Sequence, residues 1–246
     1  MVQLNQWLNR SKKQISPLQT RNLPMTMPRA YQEGTSNFYG FDFEVNTSTL
    51  IPRPETEQLV ERTLELTKKY LSDHPRILDI GTGSGVIAIT LKKLLPNSVV
   101  EATDISVRAL ETARANAKGN QANVTFHAGN LFEPIEGRFD LIIANLPYVP
   151  AARWRFLENQ VWGFEPKDAI VSGRDGLKLI RVFCEEVGTH INQPGVVALE
   201  IDDTHGPRVL KLLQKALPNH QCFVEKDLTG RDRFCFAIVR ANQESV

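Results

Sequence analysis

Four consecutive residues carry the most specific chemistry in the sequence: Asn145, Leu146, Pro147 and Tyr148, directly after the apolar run Phe139-Asp140-Leu141-Ile142-Ile143-Ala144. Such a run reads as a buried strand, and ligands of open α/β sheets sit at the carboxyl ends of their strands. The Asn145 side-chain oxygen and the Leu146 carbonyl offer two acceptors, which is what a planar NH2 group needs to be held through both N–H bonds. The lone pair of that nitrogen is delocalised and weakly nucleophilic, so alignment must supply much of the rate. Pro147 restricts Leu146 to extended backbone and turns its carbonyl outward. Tyr148 is placed to cover one face of the planar group and to lie near a cation. The bland alternative is a strand-ending turn without chemistry.

A second motif names the electrophile. The buried strand Arg76-Ile77-Leu78-Asp79-Ile80 runs into Gly81-Thr82-Gly83-Ser84-Gly85 and then into the helical Val86-Ile87-Ala88-Ile89. Glycines permit positive φ and close backbone approach, and the helix N-terminus presents free N–H groups, so a nucleotide-like ligand belongs there. The dinucleotide fingerprint needs glycine where Val86 stands, whereas the D-x-G-x-G-x-G spacing from Asp79 is that of enzymes using S-adenosylmethionine (SAM); NAD is disfavoured. Gly81, Thr82, Gly83, Ser84 and Gly85 are therefore the expected cradle. Asp104 ends the next apolar run, 19 positions after Gly85, where a carboxylate accepts from a ribose diol. It equally suits an N-cap for the helix beginning at Ile105. After the third strand, Gly129-Asn130-Leu131-Phe132 falls where an adenine is clasped, with Asn130 for its edge and Leu131 for its face. Asn130 also suits a turn residue capping its own backbone. The two motifs together predict methyl transfer to a planar NH2 group, and no nucleophilic side chain is required because SAM carries the leaving group.

Positioning these residues requires an α/β sheet with helices on both faces. Apolar runs predict strands near 76–80, 98–103, 123–128, 138–144, 195–201, 220–225 and 232–239. Three- and four-residue apolar spacing predicts helices near 55–70, 84–95, 106–118, 176–189 and 204–217. The last two strands have only Lys226-Asp227-Leu228-Thr229-Gly230-Arg231 between them, so they are expected to form an antiparallel hairpin on an otherwise parallel sheet.

Composition sets bounds on partners. The 246 residues are 41% apolar and carry 29 basic against 28 acidic side chains, which suffices for a full core and argues against wholesale polyanion binding. No run approaches the ~20 apolar residues of a membrane helix, and the start lacks a secretory signal, so a cytoplasmic, membrane-free monomer is expected. Cys184, Cys222 and Cys235 are widely spaced and read as core thiols, with neither a disulfide framework nor a metal site. Residues 1–37 form a separate unit with five basic residues against Glu33 alone. Leu4, Trp7, Leu8, Ser11 and Ile15 describe a short amphipathic helix, a cap or docking arm on the domain at 38–246. The alternative is an organellar transit peptide, which would make the protein mitochondrial.

The octapeptide Leu50-Ile51-Pro52-Arg53-Pro54-Glu55-Thr56-Glu57 together with Asn145-Leu146-Pro147-Tyr148 resembles the protein-(glutamine-N5) methyltransferase family, the HemK/PrmC type that acts on peptide chain release factors. Phe38 to Phe43, Asp79 to Gly85, Glu165-Pro166 and Gly173 to Leu177 also match, so the resemblance spans residues 38–246. It implies a seven-stranded class I SAM-dependent methyltransferase that methylates the side-chain amide of the glutamine in the Gly-Gly-Gln loop of release factors. By position, Gly81 to Gly85, Asp104, Asn130, Leu131 and Asn145 would hold SAM, and Asn145 to Tyr148 would hold the glutamine. Arg53 or Glu55 would meet the methionine end of SAM or the incoming loop, unless Glu55 is simply a first-turn helix acid. Two departures stand out: Leu146 replaces the usual first proline of Asn-Pro-Pro-Tyr, and the region before the methyltransferase domain is shorter than the family's N-terminal helical bundle. The basic arm and Arg153, Trp154, Arg155 and Phe156 either grip the substrate in its place or pack a lid. Competing readings are a ribosomal protein as substrate, adenine methylation in ribosomal RNA, whose enzymes share the Asn-Leu-Pro-Tyr turn, and a non-catalytic SAM-binding module.

Overall fold

The computed structural model describes residues 26–157, 163–218 and 220–240; the helix expected within residues 4–15 lies outside them. A seven-stranded sheet is built from β3 (Arg76–Ile80), β4 (Val99–Asp104), β5 (Val124–Ala128), β6 (Phe139–Ala144), β7 (Ile191–Glu200), β8 (Gln221–Lys226) and β9 (Asp232–Val239). Its order is β5-β4-β3-β6-β7-β9-β8, and β9 runs antiparallel to both neighbours while the other pairs are parallel. The expected strands thus match, except that β7 begins earlier, at Ile191.

The parallel strands alternate their apolar residues between two core layers, as a sheet covered on both faces requires. Val197 and Leu199 of β7 point to one layer, where they meet Ile180, Phe183 and Val187 of α5 (Lys178–His190) and Val209 and Leu213 of α6 (Gly206–Ala216). Val196 and Ala198 point to the other, against Leu59 and Val60 of α2 (Pro54–Tyr70) and Ile87 and Ile89 of α3 (Val86–Leu94). Cys184 and Cys235 are buried and Cys222 is half-buried, all three as free thiols. Burial pushes the Cys184 thiol up to about 12, so it stays protonated.

The sequence patterning missed one unit: α1 (Arg29–Glu33) followed by a hairpin of β1 (Thr35–Phe38) and β2 (Phe41–Glu44). Tyr39 and Gly40, with φ of 52° and 82°, form its two-residue turn, the conformation whose twist suits a tight hairpin. The hairpin packs Phe38 edge-to-face on Phe43 at 6.2 Å. It is tied down where the Tyr39 N–H donates to Glu57 (2.6 Å) and the Glu44 N–H donates to Asn116 (2.6 Å) of α4 (Val107–Gly119). The boundary expected between residues 37 and 38 therefore falls inside β1.

The loop after β6 is held from behind. Val149 bridges Val171 in parallel, with the Val149 N–H donating to Ile170 and the Ser172 N–H donating back to Val149. Gly176 has a φ of +81°, and a Cβ there would overlap the Tyr148 carbonyl oxygen and lie 2.7 Å from the His205 ring. Gly176→Ala combines a disfavoured backbone with a clash that no side-chain rotation relieves, a cost of about 2–3 kcal/mol. Calorimetry is expected to find Tm lowered by about 5–10 °C, and an unchanged Tm would show that the loop is free to move away.

Candidate active site

Parallel pairing places Ile80 beside Ala144 and Ala144 beside Leu199. Of the next residues along, Gly81 and Asn145 leave the sheet beside Glu200, the last residue of β7. This is the point where the chain order reverses between β3 and β6, the usual ligand crevice of such sheets. Gly81 is so close to the turn that a Cβ on it would touch Leu146 Cδ2 at 3.0 Å and Asn145 O at 3.9 Å. Leu146 is buried and seals the glycine turn from below.

A cavity of about 610 Å3 opens here, lined by Gly81 to Ser84, Asp104, Asn130, Leu131, Asn145 and Leu146. Gly81, Gly83 and Gly85 have φ of 74°, 57° and 85°, which only glycine adopts without strain. The Gly83 N–H donates to Asp104 Oδ2 (2.8 Å) and the Ser106 N–H to Asp104 Oδ1 (2.8 Å). Those two bonds hold the carboxylate against the glycine turn and leave each oxygen a lone pair. The helix cap expected at Asp104 is instead made by Ser106, whose hydroxyl accepts from the Ala109 N–H at 3.2 Å. Asn130 is exposed at the cavity rim, its N–H donating to Glu133 at 3.3 Å. Leu131, at a φ of 50°, is buried in the cavity wall. Beneath the turn, Asp79 Oδ2 accepts from the Thr82 hydroxyl (2.6 Å) and the Ala88 N–H (3.2 Å), while Oδ1 is buried with no donor. Burial pushes its carboxyl up to about 7 against the pull of those two donors. A glycine cradle whose backbone can be approached closely and an acceptor pair fit SAM, which brings a diol.

A second cavity of about 260 Å3 continues past Asn145 and is lined by Arg53, Pro147, Tyr148, Arg153, Glu165 and Asp202. Arg53 lines both cavities and pairs with buried Glu165 at 2.5 Å. Glu55 lines neither and sits in the first turn of α2, as a helix acid does. Phe156 is 79% exposed and so packs no lid, whereas Arg153 is anchored to Asp202 at 2.9 Å.

The sequence reading passed over Glu200, and it quoted Thr56 within the octapeptide without giving it a role of its own. Asn145 Nδ2 donates to Glu200 Oε2 (2.9 Å) and to Thr56 Oγ1 (3.0 Å); the Thr56 hydroxyl donates to Glu200 Oε2 (2.7 Å), and the Tyr148 hydroxyl to Glu200 Oε1 (3.2 Å). Glu200 accepts only, which fixes the amide's orientation: its nitrogen faces the acid and Oδ1 faces the cavities. The one signal available beforehand was a single acid ending the otherwise apolar run Val196 to Ile201.

A family model described as "Methyltransferase small domain" matches residues 57–159. A release factor glutamine methyltransferase of Bacillus cereus is 41% identical over 215 residues, 86% of this chain and 76% of that protein. One from Lactococcus lactis is 34% identical over 92% of this chain and 86% of its own length. The chain belongs to the release factor glutamine methyltransferase family. It is a SAM-dependent methyltransferase, and its class I fold is shared by solved structures: a Pyrococcus furiosus methyltransferase has a TM-score of 0.60 at 22% identity, covering 82% of this chain and 91% of that one. A Thermus thermophilus 16S rRNA N2 G1207 methyltransferase in complex with AdoMet and guanosine has a TM-score of 0.59 at 16% identity, covering 84% of this chain and 50% of that one. Among the described residues no helix of this family member is long and apolar enough to cross a membrane.

The raised Asp79 carboxyl links stability to pH. Protonation favours the folded state, so its contribution is complete below about pH 4 and disappears as the pH rises through about 7. Asp79→Asn mimics the neutral form. In thermal melts of the ligand-free protein it is expected to come closest to wild type below about pH 4 and to exceed it most at pH 8; the same difference at both values would contradict this.

Proposed function

We propose that this chain methylates the side-chain amide nitrogen of the glutamine in the Gly-Gly-Gln loop of peptide chain release factors. The observation that carries the reading is the Asn145 amide: its nitrogen is turned to Glu200 and Thr56, to which it donates, so Oδ1 is left to accept at the junction of the two cavities. Asn145 Oδ1 and the Leu146 carbonyl would take the two N–H bonds of the substrate amide. Tyr148 and Pro147 would bracket its plane, keeping the nitrogen aimed into the larger cavity. When bound, SAM supplies a sulfonium methyl group: the S–CH3 bond breaks and the N–CH3 bond forms, sulfur keeps the electron pair, and one amide proton leaves to water. The protein's part is alignment, which is worth up to ~7–11 kcal/mol in well-oriented cases. Gly81 to Gly85 would hold the cofactor's polar end, Asp104 its diol, and Asn130 and Leu131 its base. Arg53, fixed by Glu165 between the cavities, would meet the methionine carboxylate or the incoming loop. The names of the relatives from Bacillus cereus and Lactococcus lactis support the same substrate.

The test is mass spectrometry after incubation with SAM and, in separate tubes, a release factor and ribosomal subunits. One methyl group on the Gly-Gly-Gln glutamine is expected. Asn145→Ala should lower kcat by on the order of 100-fold while SAM still binds. Methylation of a ribosomal protein or of RNA adenine instead would move the substrate, and no methylation at all would favour a binding module. Calorimetry should find SAM binding weakened about 10- to 100-fold by Asp104→Ala, which removes a charged acceptor.

A further inference from the structure

We propose that Glu200 is a positioning residue for the transfer step, its buried negative charge fixing and polarising the Asn145 amide so that Oδ1 holds the substrate NH2 group more strongly as that nitrogen becomes positive. This rests on the function proposed above and adds a residue that neither the family motif nor the cavity linings contain. Glu200 is 2% exposed, and its three hydrogen-bonding neighbours, Thr56, Asn145 and Tyr148, come from α2 and from the turn after β6. The nearest opposite charge, Arg233 on β9, spends its hydrogen bonds on Asp227 and the Ile201 carbonyl. The carboxylate therefore acts on its surroundings through those three donors and through the charge of Arg233.

A glutamine at position 200 would satisfy the same neighbours, accepting from Thr56 and Asn145 and donating to the Tyr148 oxygen, without the desolvation cost of a buried charge. The hydrogen bonds alone do not explain an acid here; the charge does. An N–H bonded to a carboxylate pushes electron density through the amide toward its oxygen, and chains of hydrogen bonds strengthen one another in a low-dielectric site. A preorganised negative end aimed at a nitrogen that gains positive charge favours the transition state over the bound substrate. The groups facing Glu200 are Glu55 on α2, Tyr148 after β6 and Arg233 on β9. Burial raises its carboxyl pKa; the Thr56 and Tyr148 hydroxyls and Arg233 work against that, and Glu55 adds to it. Protonation on Oε1 would keep the bonds that glutamine keeps, with the new hydroxyl donating to the Tyr148 oxygen, but it would remove the charge, so kcat falls as the pH is lowered through this group.

The experiment compares wild type, Glu200→Gln, Thr56→Val and Thr56→Ser on a release factor with SAM. Glu200→Gln is expected to lower kcat by about 30-fold, to leave KM for the release factor and SAM affinity within about threefold, and to lose the acidic limb of the kcat–pH profile. Thr56→Val should lose about fivefold and Thr56→Ser should recover most of it. A second readout uses the ligand-free protein: the Asn145 side-chain amide resonance, assigned by its loss in Asn145→Ala, should shift with pH in wild type and stay fixed in Glu200→Gln. Wild-type kcat and an unchanged pH profile in Glu200→Gln would overturn the inference. If that variant does not fold, equal rates for the two Thr56 variants would do the same. Failure of wild type to methylate a release factor counts against the function proposed above, and the amide resonance still decides the role of Glu200.

Discussion

Everything at the active site depends on the register in which three parallel strands pair. Ile80, Ala144 and Leu199 share one rung of the sheet, and the three residues that follow them stand together at its edge. One is a glycine that lets the cofactor cavity approach the backbone, one an asparagine that offers an acceptor, and one an acid that orients the asparagine. A slip of one residue in any strand would turn its side chains to the opposite face. The alternating apolar residues of β7, packed against α2 on one side and α5 on the other, prevent that slip. Core packing is thus the device that sets catalytic geometry to within a hydrogen bond.

Three acids at the carboxyl edge of the sheet are handled differently. Asp104 is satisfied by two backbone N–H groups and stays half-open to ligand. Asp79, beneath the glycine turn, retains one oxygen with no donor. Glu200 is fully satisfied by side chains that themselves belong to the site. Burial raises the pKa of all three, so each stores free energy that favourable partners release. A positively charged methyl donor is well matched to such an enclosure.

The second cavity is shaped by loops that the sheet does not control. Arg53 reaches across to Glu165, joining the segment before α2 to the one after the turn. The parallel bridge between Val149 and Val171 and the close approach of Gly176 to Tyr148 hold the turn from the other side. These contacts account physically for why the octapeptide from Leu50, the Glu165-Pro166 pair and the stretch from Gly173 to Leu177 occur in one sequence.

The sequence by itself determined the sheet, its antiparallel final pair, the glycine turn and the asparagine turn, because each rests on local periodicity or on residue types whose backbone limits are intrinsic. The hairpin at Thr35 to Glu44 escaped because its strands are four residues long and its turn is Tyr-Gly rather than a stronger signal. Asp104 was found, but its exchange of the capping role with Ser106 was not, since both can cap and only the placement of Gly83 draws the acid away. Glu200 and Thr56 were decided by the tertiary structure alone. They stand 144 positions apart, and neither the octapeptide around Thr56 nor the apolar run around Glu200 says that the two meet. Only the packing of α2 against β7, and the register that puts β7 beside β6, brings a hydroxyl and a carboxylate onto the amide of Asn145.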